Sequence, residues 1–152
     1  MLVRLNKQEI HDRWEKGIRT AVESSLPPIA GNKEEERLQR IWNNLMLGTM
    51  QCWCNYSEKA KEVLNGIGLT TFTYDLCSGA KFLLIYTAFS VAKTDPDDWV
   101  IGYQTLADFA IEHDCERVCC YTQEEKIVKN AKAVGATGFA YMLFPPLMKK
   151  SQ

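Results

Sequence analysis

The residues DPDDWVIGYQTL, 95 to 106, follow an apolar run and open a helical pattern. The first backbone N–H groups of a helix lack intrahelical partners, so such a passage often seats a phosphate. The residue types here argue against it. Asp95, Asp97 and Asp98 place three carboxylates beside the position, and each close pair with a phosphate costs on the order of 1 kcal/mol even at a water-like dielectric. The plainer reading is an acidic helix start, with an Asp as N-cap while Trp99 and Ile101 cover a sheet edge.

Cysteine and histidine offer a second chemistry. Cys52 and Cys54 share one face of a strand pattern, and His113 precedes Cys115. No C-x-x-C spacing exists, and four zinc ligands would have to converge from unrelated elements, so no metal site is expected. A nucleophilic Cys119 or Cys120 beside His113 needs a thiol of lowered pKa in a partly open site, whereas RVCCYT reads as a buried strand. All six cysteines, with Cys77 the remaining one, are expected reduced and packed as small apolar side chains.

The four tryptophans are Trp14, Trp42, Trp53 and Trp99. They can fill core. Trp53, however, sits on the more polar phase of its strand and Trp99 on a turn, where exposed aromatics would anchor a protein partner.

The elements that must position these residues follow from local signals. LVRL is a short first strand, and Asn6 with Glu9 three residues on forms a capping box for a helix carrying Ile10, Trp14, Ile18 and Val22. Pro27 and Pro28 end it. Asn32 with Glu35 opens a second helix with Leu38, Ile41, Trp42 and Leu45 on one side and Gly48 at its end, its tryptophan face toward that of the first. TMQCWCNY is a strand with Met50, Cys52 and Cys54 on the more buried face.

Ser57 to Gly66 is expected as a short helical excursion, followed by a strand in LTTFTYDL and a turn at CSGAK. FLLIYTAFSV, 82 to 91, is expected as the spine of the sheet, covered on both faces. A helix bearing Leu106, Phe109, Ala110 and His113 follows, then the strand RVCCYT, a helix over 123–134 ended by Gly135, and a last strand in GFAYMLF. The fold class is α/β of the α+β kind, and the absence of repeats or Gly/Ser linkers makes 1–152 one domain.

With 152 residues, 46% of them hydrophobic, the chain can build one real core. Its 18 basic and 19 acidic side chains give no excess of either sign, so neither nucleic acid nor an anionic membrane is an expected partner. Proteins recognised by shape are. No apolar run approaches the roughly 20 residues of a membrane span, and the N-terminal stretch turns polar too soon for a signal peptide. The expected location is the cytoplasm of the cell that makes it.

The order of elements, together with CERVCCYTQEEKIVKNAKAVGATGFAYMLF, resembles the GNAT acetyltransferase superfamily over nearly the whole chain. It is similar in particular to small GNAT-like proteins of tailed phages, some of them virion components, which often carry a tryptophan-bearing second strand like MQCWCNY and a Gly-Ala or Gly-Phe end to the last helix. The resemblance implies a mixed, mostly antiparallel sheet flanked by about four helices. It also implies that the fourth and fifth strands part, so that the pantetheine arm of acetyl-CoA pairs with backbone between FLLIYTAF and RVCCYT.

In that family the pyrophosphate rests on a loop of pattern Gln/Arg-x-x-Gly-x-Gly/Ala. Laid on this chain, the cofactor-binding stretch is Val100, Ile101, Gly102 and Tyr103, with Asp97 in place of Gln/Arg and Val100 in place of the first Gly. A β-branched Val disfavours the open backbone that glycine allows. The family's general acid, a Tyr about four residues before the terminal Gly of the last helix, falls on Ala131, and no other catalytic residue is indicated; Tyr121 or Tyr103 could stand in, or serve as core aromatics. The resulting expectation is a GNAT-like protein with a degenerate acetyl-CoA site and no bound cofactor, acting as a structural or interaction component, plausibly of a phage virion, through Trp53 and Trp99. The alternative is an acetyl-CoA-dependent N-acyltransferase with an atypical phosphate loop, for which an open, N–H-lined turn is expected at 100–104.

Overall fold

The computed structural model describes residues 1–29, 33–60, 62–145 and 147–148. Its first helix begins as the sequence dictates. Asn6 Oδ1 accepts the Glu9 N–H at 2.9 Å while Glu9 returns to the Asn6 N–H at 2.8 Å, so two otherwise orphaned donors are satisfied at once. The helical stretch runs through α1 (Lys7–Arg13), a π turn (Trp14–Ile18) and α2 (Arg19–Ser24). Ile10, Trp14, Ile18 and Val22 are all buried.

The Asn32 cap lies outside the described residues. Helix α3 (Glu34–Leu47) begins with three glutamates in its first turn, where the helix dipole favours them, and ends at Gly48 with φ +80°. Trp14 and Trp42 meet between α1 and α3 with centroids 5.2 Å apart.

Five strands form one sheet in sequence order: β1 (Leu2–Arg4), β2 (Met50–Tyr56), β3 (Leu64–Tyr74), β4 (Lys81–Ser90) and β5 (Arg117–Cys120). The first four pair antiparallel and β5 joins β4 in parallel. Helix α4 (Pro96–Glu112) makes the crossover between them, and α5 (Glu125–Ala133) follows β5. With α1, the π turn and α2 counted as one helical stretch, kinked at Gly17, the mixed, mostly antiparallel sheet and four helices match expectation.

Four expectations need correction. The described residues of 57–66 form no helix: Ser57 Oγ caps a turn by accepting the N–H groups of Lys59 and Ala60, and Asn65 and Gly66 already belong to β3. A side chain on Gly66 would meet the Phe89 carbonyl oxygen at 2.7 Å, so this glycine serves close strand approach rather than helix termination. The spine of the sheet is β3, with β4 one place from the edge. GFAYMLF forms no strand; Phe139 and Phe144 are 90% and 85% exposed. An apolar run announces a strand only where an edge receives it, and β5 is four residues long. Nor is RVCCYT buried: Val118 and Cys119 are half-buried and Cys120 is exposed.

Both faces of the sheet are covered. Helices α1 to α3 pack with Cys52, Cys54, Ile67 and Leu69 on one face. On the other, Leu106, Phe109 and Ala110 of α4 pack with Trp53 and Leu83.

Candidate functional site

The distinctive geometry lies on β4. Leu69 pairs with Thr87 and Thr70 with Ile85, so Tyr86 is an extra residue, a β-bulge. On the opposite edge, the parallel pairing with β5 runs from Phe82↔Arg117 to Ile85↔Cys120 and stops there. Beyond it, Tyr86–Ser90 has β3 on one side and, among the described residues, no strand on the other. An exposed strand edge is a ladder of donors and acceptors awaiting an extended partner.

The bulge is fastened from the helical side. The Tyr86 hydroxyl accepts from Arg37 Nε at 3.1 Å and Nη2 at 3.0 Å, while the same Nη2 donates to the Pro27 carbonyl at 2.5 Å. Thr87 Oγ1 donates to the Ser25 carbonyl at 2.6 Å and also meets the Ser25 hydroxyl. The end of α2 and the first turn of α3 therefore hold β4 where its two neighbours disagree in register. Across the opening, Tyr121 is the first residue after β5. Burial, and then Tyr141, Cys119 and Tyr86 nearby, hold its phenol above the ordinary value, so it stays protonated through the neutral range.

The start of α4 has a different character. Asp95 is the N-cap: its side chain accepts the Asp97 N–H at 3.1 Å and its carbonyl accepts the Trp99 N–H at 3.2 Å. Pro96 at the first helical position has no N–H to offer. Asp97 and Asp98 complete the first turn, with Lys59 3.8 Å from Asp95.

Neither a family model nor a curated protein matches the sequence. Solved structures match in shape. A protein described as a probable acetyltransferase overlays with a TM-score of 0.67 at 12% identity, covering 98% of this chain and 99% of that one. A predicted acetyltransferase with acetyl-CoA from Clostridium acetobutylicum gives 0.64 at 12% identity over 96% and 95%. An aminoglycoside 6'-N-acetyltransferase from Acinetobacter baumannii gives 0.64 at 10% identity over 99% of both chains. The fold is the GNAT fold.

The residues laid on the GNAT phosphate loop are not in a loop. Val100, Ile101, Gly102 and Tyr103 occupy the second turn of α4, where each N–H returns to the carbonyl four residues back. The open turn expected at 100–104 is therefore absent, because Asp95 and Pro96 start the helix a turn earlier. Trp99 is in this helix rather than on a turn, half-buried and stacked on Tyr103 at 6.2 Å with nearly parallel rings.

Trp53 is also misplaced by the sequence reading: it is 4% exposed, donates through Nε1 to Thr70 Oγ1 at 2.8 Å, and meets Phe109 edge-on at 5.1 Å. A side chain so enclosed presents no surface to a partner. Its phase looked polar because Gln51 shares it, yet Gln51 is buried too, accepting from Thr70 Oγ1 at 2.9 Å. Ala131 is half-buried on α5. His113 caps α4 and lies against Phe109 and Phe72 at 4.3 and 5.3 Å.

Acetyl-CoA is the cofactor a GNAT fold implies, and the residues fit it in one part only. The free β4 edge suits the amides of a pantetheine arm. The α4 start does not suit a diphosphate, since Pro96 has no N–H, those of Asp97 and Trp99 are held by Asp95, and its side chains are acidic. The Tyr86 bulge and the Arg37 clamp were missed from sequence; a continuous apolar run hides an inserted residue, and Arg37 stands among ordinary surface charges.

Proposed function

We propose that this protein is an N-acyltransferase that receives an acyl thioester in the gap where β4 and β5 part. The observation that carries the reading is the β4 edge beyond Tyr86, free of a strand partner among the described residues, in a fold that overlays on acetyltransferases along nearly all its length. The edge of Tyr86–Ser90 would hold the donor's amides by strand-like hydrogen bonds. Tyr121, protonated at neutral pH, takes the proton-donor position that Ala131 cannot fill. The acidic start of α4 makes a donor's diphosphate a burden rather than a handle.

The test is release of free thiol from acetyl-CoA and from S-acetylpantetheine, which lacks the diphosphate, with a panel of amines. Transfer from both donors is expected, the shorter one losing little, and Tyr121→Phe should slow it by about a hundredfold. No release above the uncatalysed rate from either donor overturns the proposal. A second reading then takes over, favoured by Asp95, Asp97, Asp98 and Ala131: a GNAT-like domain without cofactor chemistry, acting as a structural or interaction component, a phage particle included. Copurification with virion proteins would support it.

A further inference from the structure

We infer that the cavity between α3 and the β4 bulge binds an anionic group, a carboxylate or phosphate, carried by the amine acceptor. Its role toward an acceptor rests on the acyltransferase reading; the anion site itself rests on the charges. The cavity has a volume of about 280 Å³ and is lined by Lys33, Arg37 and Arg40 together with Ile41, Met50 and Tyr86. Two of these three cations share one carboxylate. Glu36 lies 3.4 Å from Lys33 Nζ and 3.7 Å from Arg40 Nη2, and both lysine and arginine are largely exposed there.

Arg37 differs from them. It is half-buried, and its partners are the neutral oxygens of Tyr86 and Pro27. Among the described residues no carboxylate comes within ion-pair distance of it, and its Nη1 end has no hydrogen-bond partner. A guanidinium fixed through Nε and Nη2, with the two Nη1 donors left over, is prepared to hold an oxygen of a carboxylate or phosphate by a charge-assisted hydrogen bond. Removing a cation partly from water without a counter-charge is costly, and an anion in the cavity would offset that cost.

Position argues for an acceptor rather than a donor group. Tyr86 lines this cavity and is also the residue at which β4 loses β5. An anion held on Arg37 would therefore place an attached amine beside the gap. Past the end of β4 at Ser90 the chain runs to Asp95, Asp97 and Asp98, whose carboxylates repel the same anion. The charge layout orients an acidic acceptor one way round.

The experiment is calorimetric titration of the full chain, at about 0.15 M salt to screen loose surface attraction, with succinate and with its neutral analogue succinamide. Succinate should bind about tenfold more tightly, and Arg37→Gln should lose about tenfold in succinate affinity. Because Arg37 also ties Pro27 to Tyr86, that variant can fail to fold; the double variant Lys33→Gln, Arg40→Gln changes exposed side chains and should still lose severalfold. Equal binding of acid and amide overturns the proposal, as does a folded double variant that binds succinate like the parent.

Titration with coenzyme A separates the two sources of anion. If the double variant weakens coenzyme A and spares succinate, the cavity serves a donor phosphate and the acceptor assignment is wrong. In the transfer assay, aspartate should show a lower KM than asparagine, and that difference should vanish in the double variant. Selective succinate binding without transfer to any amine refutes the acyltransferase reading and the acceptor role, leaving the anion site standing.

Discussion

The face of the sheet under α1 to α3 and the face under α4 are made of different material. The first is aliphatic and deep: Ile18, Val22, Leu45, Leu69 and Cys52 are all almost fully buried. The second is thin and aromatic, with Trp53, Phe72 and Phe109 in ring contact around a buried polar chain of Trp53, Thr70 and Gln51. Moreover, α4 is pinned only along its second half by Leu106, Phe109 and Ala110, while Val100 and Ile101 remain exposed. The two regions thus differ in both charge and support. The basic region around Arg37 and Tyr86 is built onto the deep core, and the acidic region at Asp95–Asp98 sits on the unpacked half of a helix. Recognition that needs a fixed geometry belongs on the first.

The strongest way to break this contrast is to truncate the aromatic layer. Trp53→Ala should lose about 3–5 kcal/mol of stability, whereas Trp99→Ala, on the unpacked half of α4, should lose less than about 1 kcal/mol. Urea unfolding of both variants decides it, and similar losses would mean that α4 is held along its full length.

The aliphatic layer has an alkaline weakness. Burial pushes the Cys52 thiol up to about 12 from an ordinary value near 9.0, and Cys54 moves the same way. The folded state therefore holds the proton that the unfolded state releases, so stability is complete below pH 9 and falls as pH climbs toward 12. By pH 10.5 the loss attributable to Cys52 is about 2 kcal/mol. Unfolding free energies at pH 8 and 10.5 should differ by that much more in the parent than in Cys52→Ala; parallel slopes would show that water reaches this layer.

The smallest expected effect sharpens the charge contrast. Asp97→Asn with Asp98→Asn should strengthen acetyl-CoA binding by about threefold to tenfold at low salt and leave S-acetylpantetheine unchanged. If both donors respond alike, the acidic turn acts on something other than the diphosphate.

Much of this architecture was legible because local chemistry and tertiary structure agree. The Asn6–Glu9 box, Gly48 and Gly135 mark helix ends with groups whose only use is to satisfy or turn the backbone there. Periodicity placed β2, β4 and β5. It could say which side chains share a face of β2, but not that a second layer covers the other face, and so Trp53 was read as exposed. The start of α4 was signalled by Asp95 followed by Pro96, an N-cap and first-turn pair, yet a motif laid over it drew attention to Gly102 instead. The site itself was least legible, since Tyr86 is unusual only in having no opposite number on β3, a property of two strands together.

That unmatched residue has a further result, one of parity. Before it, the odd-numbered side chains Leu83 and Ile85 join the α4 layer; after it, Phe89 packs with the α1–α3 layer and Thr87 reaches back to Ser25. A strand without an inserted residue keeps all its odd positions on one side. Here a single strand changes allegiance half-way, so the two layers are stitched by one continuous thread, and the crossing point of that stitch is the place where the sheet opens.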